Sequence, residues 1–308
     1  MYFKIKIMIK HIVISGGGHT GLIFYGILKE SNIMNFWKIE NIESIYSTSI
    51  GSFIAVMLCL NYGWDITDDY ILKRKWQNIF DINFNTLIQT YENRGLFSIN
   101  IIEEIVHPLF NAMEIKTDIS FEEFYEITKI ELHIFTTELN TLNTIDLSYK
   151  THPKWKILEA VYCSCCLPIL FSPFIKEENC YIDGGVFLNY PLNPCFSKEN
   201  IFLDEIFGLK KENTKKKHQI NEKSTIFEFL MSLFNNLFEK MLIDKKNVQQ
   251  IKNEIIVVDD MTSIDRIMCV VSSMEERKKL IEKGQQLFHQ FISEKYNETD
   301  NIQKNEEK

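Results

Sequence analysis

No apolar run in this 308-residue chain reaches the roughly 18 to 20 residues that a membrane span requires. A secretory signal is missing too. Lysines interrupt the apolar residues from Met1 to Ile14, and no small-residue cleavage site follows them. The expected location is therefore cytoplasmic. Positive charge is scarce: 34 Lys and Arg against 42 Asp and Glu leave a net charge of −8. A chain of that sign has no general attraction to phosphate backbones, which sets nucleic acid aside as a partner. It also gains no electrostatic help on an anionic bilayer. The seven cysteines are odd in number, and five of them crowd between Cys163 and Cys195, unlike a secreted disulfide framework. Cys163, Cys165 and Cys166 fall in the order C-x-C-C, not in the paired C-x-x-C of a zinc site. No EF-hand loop occurs either. These thiols read as small buried residues, and neither a metal nor a cofactor is expected.

What the chain does have is apolar mass. A hydrophobic fraction of 45% excludes a disordered chain and is enough for a sizeable core. The length fits two domains of roughly 150 residues or one larger α/β domain. No internal repeat is present.

An apolar run from His11 to Ile14 breaks at Ser15-Gly16-Gly17-Gly18, and a helical pattern follows from Thr20 to Glu30. Gly26 within it is expected to let that helix approach a sheet closely. A second run, Ile42 to Tyr46, ends in Ser47-Thr48-Ser49-Ile50-Gly51. From Ile50 to Asn61 nearly every residue is apolar, the pattern of a central buried helix with Gly63 as its stop. Residues 64–129 read as several amphipathic helices, one opened by a capping box of Ser120 and Glu123. Leu132 to Thr136 is a predicted strand and Trp155 to Tyr162 a predicted helix. Tyr181 and Ile182 then lead into the turn signal Asp183-Gly184-Gly185. Lys210 to Lys223 is almost wholly polar and reads as a surface loop. A helix from Thr225 to about Lys245, a strand from Glu254 to Val258 and a last helix from Ser273 to Ile292 complete the pattern. The polar tail from Asn297 to Lys308 is expected to fray. Strands alternating with helices indicate an α/β fold with parallel strands.

Gly16-Gly17-Gly18-His19-Thr20-Gly21 fits the dinucleotide fingerprint G-x-G-x-x-G in outline. That reading requires a carboxylate at the end of the next strand to hold a ribose. Ser47 to Ser49 stand there instead. The competing reading is an oxyanion hole: side-chain-free amides backed by a helix N-terminus suit the oxygen of an acyl-transfer intermediate. Ser47-Thr48-Ser49-Ile50-Gly51 is G-x-S-x-G with serine in place of the first glycine. In that motif a sharp strand-to-helix turn lifts the serine hydroxyl out of the sheet. The small residues Ser47 and Gly51 let neighbouring backbones pass. A serine needs a base, and Asp183 is the candidate.

Taken together and in this order, the motifs resemble the patatin-like phospholipases, which carry a G-G-G-x-[RK]-G loop, a G-x-S-x-G elbow and a later D-G-[GA]. Ser164, Pro168, Phe171 and Pro173 match a stretch that precedes the Asp-Gly-Gly in such proteins, and Asn189-Tyr190-Pro191 matches the N-x-P after it. The resemblance covers residues 10 to 200 and implies a three-layer fold, a central mostly parallel sheet between helices. Residues 201 to 296 are then an extension packing on the same domain. The resemblance also implies a metal-free lipid acyl hydrolase acting on phospholipids or other lipids, with transient contact at membrane surfaces. Ser49 is its nucleophile and Asp183 the base of a Ser–Asp dyad. Gly16, Gly17 and Gly18 are the oxyanion donors, and Ser47, Gly51, Gly21, Gly184 and Gly185 support elbow and loop. Two departures, Ser47 in the elbow and Thr20 where the family usually has a cation, keep a second function in view: a catalytically silent lipid-binding or interaction protein on the same fold. His19 beside the loop reads as a surface or supporting histidine. The helix from Thr225 lacks a basic polar face and is expected to pack on the core.

Overall fold

The computed structural model describes residues 8–80, 90–198, 200–214, 220–222, 224–226, 228–230, 232–233, 236–237, 251–259 and 264–306. Its centre is an eight-stranded sheet. Strands β1 (His11–Ile14), β2 (Ser44–Thr48), β4 (Glu131–Glu138), β9 (Ile206–Asn213) and β10 (Glu254–Asp259) run parallel in the order β10-β9-β1-β2-β4. Beyond β4 the pairing turns antiparallel, to β5 (Asn143–Leu147) and β8 (Asn179–Asp183), with β7 (Phe174–Lys176) outside β8. A separate pair joins β3 (Gly95–Phe97) to β6 (Ile169–Phe171).

The two faces of the sheet carry alternate residues, as a period of two demands. Ile12, Ile14 and Ile45 point into the large core beneath α1 (Gly21–Ile33) and α2 (Ile50–Cys59). Val13 and Tyr46 point to the other side, into a smaller cluster closed by Leu192 and Cys195 of the short helix α7 (Leu192–Phe196). Further helices are α3 (Trp64–Lys73), α4 (Asn100–Ala112), α5 (Phe121–Thr128), α6 (Ile157–Cys165), α8 (Ile264–Ser272) and α9 (Met274–Glu306). The expected three layers are present. At the start of α5 both halves of the Ser120–Glu123 capping box form.

Four expectations change. Gly26 does open a close approach, but to a helix and not to the sheet. A Cβ there would lie 2.1 Å from the Ile281 carbonyl oxygen of α9, and one at Gly284 would lie 2.1 Å from that of Ile23. The polar stretch from Lys210 does not begin as a loop, because β9 runs on to Asn213 and pairs with β10 throughout. Residues 215–219 and 223 of that predicted loop lie outside the described residues. The last helix continues past Ile292 to Glu306. Finally, Ile226, Phe229, Leu233 and Leu237 are exposed instead of packed on the core. The rest of the helix predicted there, residues 238–245 included, lies outside the described residues. No helix among the described residues is long and apolar enough to cross a membrane.

Candidate active site

Strand β2 stops at Thr48, α2 starts at Ile50, and Ser49 alone makes the turn. Its backbone takes φ 53° and ψ −130°, a region that a residue with a Cβ rarely enters. Such a conformation costs on the order of 1 to 3 kcal/mol and persists only where neighbours enforce it. Here the neighbours are explicit. The Ser49 N–H donates to Ser164 Oγ at 2.8 Å, and that hydroxyl donates to the Phe135 carbonyl at 2.6 Å. The Ser49 carbonyl accepts from the N–H and the hydroxyl of Ser52. Gly51 lets α2 begin against β1, since a Cβ would sit 2.7 Å from the Ile14 carbonyl oxygen. Ser47, where the motif has glycine, keeps ordinary strand backbone and donates its hydroxyl to the His133 carbonyl. Glycine's freedom is not needed at that position.

The Ser49 hydroxyl donates to Asp183 Oδ2 at 2.7 Å. Asp183 ends β8, and its other oxygen accepts the Gly185 N–H at 2.7 Å. The carboxyl is buried, and burial pushes it up to about 6 although both hydrogen bonds favour its charged form. A carboxylate so raised is better matched to neutral pH as a proton acceptor than an ordinary aspartate.

The glycine loop faces this pair. Gly16 directs its N–H at the Asn189 carbonyl, 3.0 Å away, which removes it from the three donors expected from the sequence. Gly18 turns the chain with φ 56°, and α1 begins three residues later at Gly21. The loop is braced from the far end of the chain. Thr20 Oγ1 donates to Asp259 Oδ2 at 3.0 Å, and His19 Nε2 lies 3.2 Å from the same oxygen. Lys283 of α9 stands 3.6 Å from the other Asp259 oxygen. Burial works to raise the Asp259 carboxyl. The hydrogen bonds from His19 and Thr20, with the Lys283 charge, outweigh it and hold the group well below the usual carboxylate range. Lys211 of β9 donates its backbone N–H to Ser15 Oγ and brings its ammonium to 3.4 Å from the Gly17 carbonyl oxygen.

A cavity of about 460 Å³ opens from Ser49, Asp183 and the glycine loop into the molecule. Its lining is mostly apolar, with Leu22, Phe53, Met57, Trp76, Phe97 and Phe171 among the side chains. The volume lies within the usual range for small-molecule sites. Cys165 also lines it, with Sγ 3.8 Å from Ser52 Oγ, while Cys163 and Cys166 are buried free thiols. Among the described residues no three His, Cys, Asp or Glu side chains come together as a ligand set.

The sequence-predicted Ser49, Asp183, Gly17 and Gly18 thus converge on one cavity mouth. Ser164 and Asn189 entered the sequence reading only as motif letters, and their bonds to the elbow and loop are new. Lys211 and Asp259 carried no signal beyond their places on polar or apolar runs.

The sequence model for the patatin-like phospholipases matches residues 12–196. A protein of Invertebrate iridescent virus 6, "Probable lipid hydrolase 463L", is 30% identical over 220 residues, spanning 71% of this chain and 70% of its own. "Uncharacterized protein R571" of Acanthamoeba polyphaga mimivirus is 30% identical over 218 residues, 71% of this chain and 69% of that one. Among solved structures, VipD from Legionella pneumophila shares the fold. The TM-score is 0.52 at 16% identity, covering 92% of this chain and 67% of that one. With its ordered motifs folded into one site and more than half of its length matched, this chain belongs to the patatin-like phospholipase family.

Proposed function

We propose that the protein is a serine lipid acyl hydrolase of phospholipase A type, working through a Ser49–Asp183 dyad. The hydrogen bond from Ser49 Oγ to a buried, raised carboxylate at the mouth of an apolar cavity carries this reading. Ser49 Oγ attacks the ester carbonyl carbon while its proton passes to Asp183 Oδ2. The carbonyl oxygen becomes an oxyanion, stabilised by the amides of Gly17 and Gly18 at the N-terminal end of α1. As the tetrahedral intermediate collapses, the alcohol leaves with the Asp183 proton and the acyl group stays on Ser49. Water then attacks the acyl carbon and gives a proton to Asp183. The fatty acid departs and the proton returns to Ser49. The apolar lining suits the acyl chain, which leaves water as it enters.

The name of the iridescent virus relative supports a lipid substrate. The exposed stripe of Ile226, Phe229, Leu233 and Leu237 supports transient contact with a lipid surface. Ser47 and Thr20 had kept a silent lipid-binding protein in view. One sits unstrained in a strand and the other bonds to Asp259, so neither favours it. The test combines a fluorophosphonate probe with fatty-acid release from phosphatidylcholine vesicles. An activated Ser49 labels and hydrolyses, and Ser49→Ala does neither. Wild-type protein that binds vesicles but neither labels nor releases fatty acid would be the silent binder.

A further inference from the structure

Two cavities in this molecule share a wall. Tyr25 of α1 and Ile54 and Met57 of α2 line the active-site cavity, and the same three residues line a second cavity of about 350 Å³ behind it. The surroundings differ on the two sides. Towards Ser49 the neighbours are apolar, Leu22, Phe53 and Ile105 among them. Beyond the wall Asn32, Asn61 and Thr67 join Trp37 and Trp64.

The position of the wall follows from helix geometry. Ser49 is the N-cap of α2, and Ile50, Phe53, Ile54 and Met57 recur at the spacing of one helical face. All four line the active-site cavity. Eight residues separate Ser49 from Met57 in sequence, which at the rise of an α-helix is about 12 Å. A chain whose carbonyl carbon sits at Ser49 Oγ and whose tail follows this face therefore reaches Met57 at its far end.

The three wall residues are not equally fixed. The Tyr25 hydroxyl donates to Asp68 Oδ1 at 2.7 Å, and its ring meets Trp64 edge-on with centroids 5.7 Å apart. Ile54 is branched at Cβ and stiff. Met57 is unbranched and adaptable, bonded to nothing but its packing neighbours.

We infer that the Tyr25–Ile54–Met57 wall sets the longest acyl chain the site accepts, with Met57 as the main determinant. This rests on the acyl-hydrolase reading and adds to it a substrate class, acyl chains that end at or short of the wall. A longer chain must displace Met57 and pass its methyl end into the second cavity. There the amide and hydroxyl groups return little of the gain that an apolar lining provides.

The test is kcat/KM for a series of nitrophenyl esters from butyrate to stearate, each protein normalised to its own butyrate value. Wild type rises with chain length to a limit. Beyond the limit it falls, by about tenfold for a methylene that does not fit. Met57→Ala joins the cavities and moves the limit to longer chains, and Met57→Phe moves it to shorter ones. Ile54→Val, mild enough to spare the fold should Met57→Ala unfold, moves it in the longer direction by less. Folded Met57→Ala and Met57→Phe proteins whose limits coincide with wild type overturn the assignment of the wall while the hydrolase reading stands. A wild-type protein inert on every ester overturns both.

Discussion

The serine elbow and the glycine loop face each other across one cavity mouth, yet different parts of the chain hold them. The elbow is fixed from within the segment that the family model matches: Ser164 takes the Ser49 amide, Phe135 orients Ser164, and Asp183 takes the Ser49 hydroxyl. Within that segment the loop is tied to Asn189, whose carbonyl accepts the Gly16 N–H. Further braces come after residue 196, from Lys211 on β9 and from Asp259 on β10 with Lys283 behind it. The Ser49 side is therefore held within the family segment, whereas the glycine-loop side is completed by the last third of the chain. That third also adds two parallel strands to the sheet. Thr20 points its hydroxyl to Asp259, a carboxylate outside the residues that the family model matches.

The comparison can be tested at four points. The largest effect is expected from Ser49→Ala, which removes the proposed nucleophile. Nitrophenyl ester turnover should fall by at least about 1000-fold, with thermal unfolding almost unmoved, because one hydroxyl is lost at a partly exposed turn. Turnover near wild type would place the nucleophile elsewhere.

Asp183→Asn should cost a similar loss, since an amide cannot accept the proton, but its stability should move the other way. Burial pushes the folded-state carboxyl up to about 6, from the 3.8 of an ordinary aspartate. Between those values the native state holds a proton that the unfolded state has lost, so stability falls as pH rises through this window. Above it the buried charge costs on the order of 3 kcal/mol. Asp183→Asn should therefore melt higher than wild type at pH 7.5 and at the same temperature near pH 4. The same titration puts the acid limb of wild-type kcat/KM near pH 6, rising with pH as the base loses its proton. A lower melting temperature at pH 7.5 would contradict a destabilising charge at this site.

Asp259→Asn probes the glycine-loop side alone. The amide keeps one acceptor oxygen but not the charge that holds His19, Thr20 and Lys283 together. An intermediate loss is expected, about tenfold in kcat with KM little changed, because a displaced amide is felt in the transition state more than in the bound ester. An unaffected kcat in folded protein would mean that the loop stands without the last third. The smallest effect is expected from Ser164→Thr, which retains the hydroxyl bonds to Ser49 and Phe135. Its activity should stay within a few-fold of wild type, while Ser164→Ala, measured beside it, should lose much more. Equal losses would show that the space around residue 164 matters and its hydroxyl does not.

Much of this was legible in the sequence wherever one local cause fixed the outcome. The apolar run before three glycines becomes β1, and the all-apolar run after Ser49 becomes α2. Ser120 and Glu123 cap the helix they were expected to cap. Features that depend on distant partners were not legible. Gly26 is required by the backbone of Ile281, more than 250 residues away, and the local pattern could not distinguish a helix from a sheet as its neighbour. Lys210 to Asn213 look like a loop by composition, but β9 lies one strand in from the edge of the sheet, and its pairing with β10 overrides polarity. The Gly16 amide looked available because nothing nearby in sequence claims it, and the claimant is the carbonyl of Asn189. The same gap hid the brace at Asp259, whose role exists only once β10 lies beside β9.

The crossing of α1 and α9 at Gly26 and Gly284 bears on how finely the loop amides are placed. Two helices that meet backbone to backbone have no compliant side chains between them, so the terminal helix acts as a mechanical stop for α1. The Gly17 and Gly18 amides sit just ahead of that helix, and catalytic donors misplaced by about 1 Å can lose on the order of 100-fold in rate. A single methyl group at residue 284, outside the cavity and outside the family segment, would have to push α1 away from α9 and carry those amides with it. The alignment tolerance of the glycine-loop amides is thus written into a helix crossing about two turns from the loop, and on the proposed mechanism Gly284 would set the geometry of the site without ever meeting a substrate.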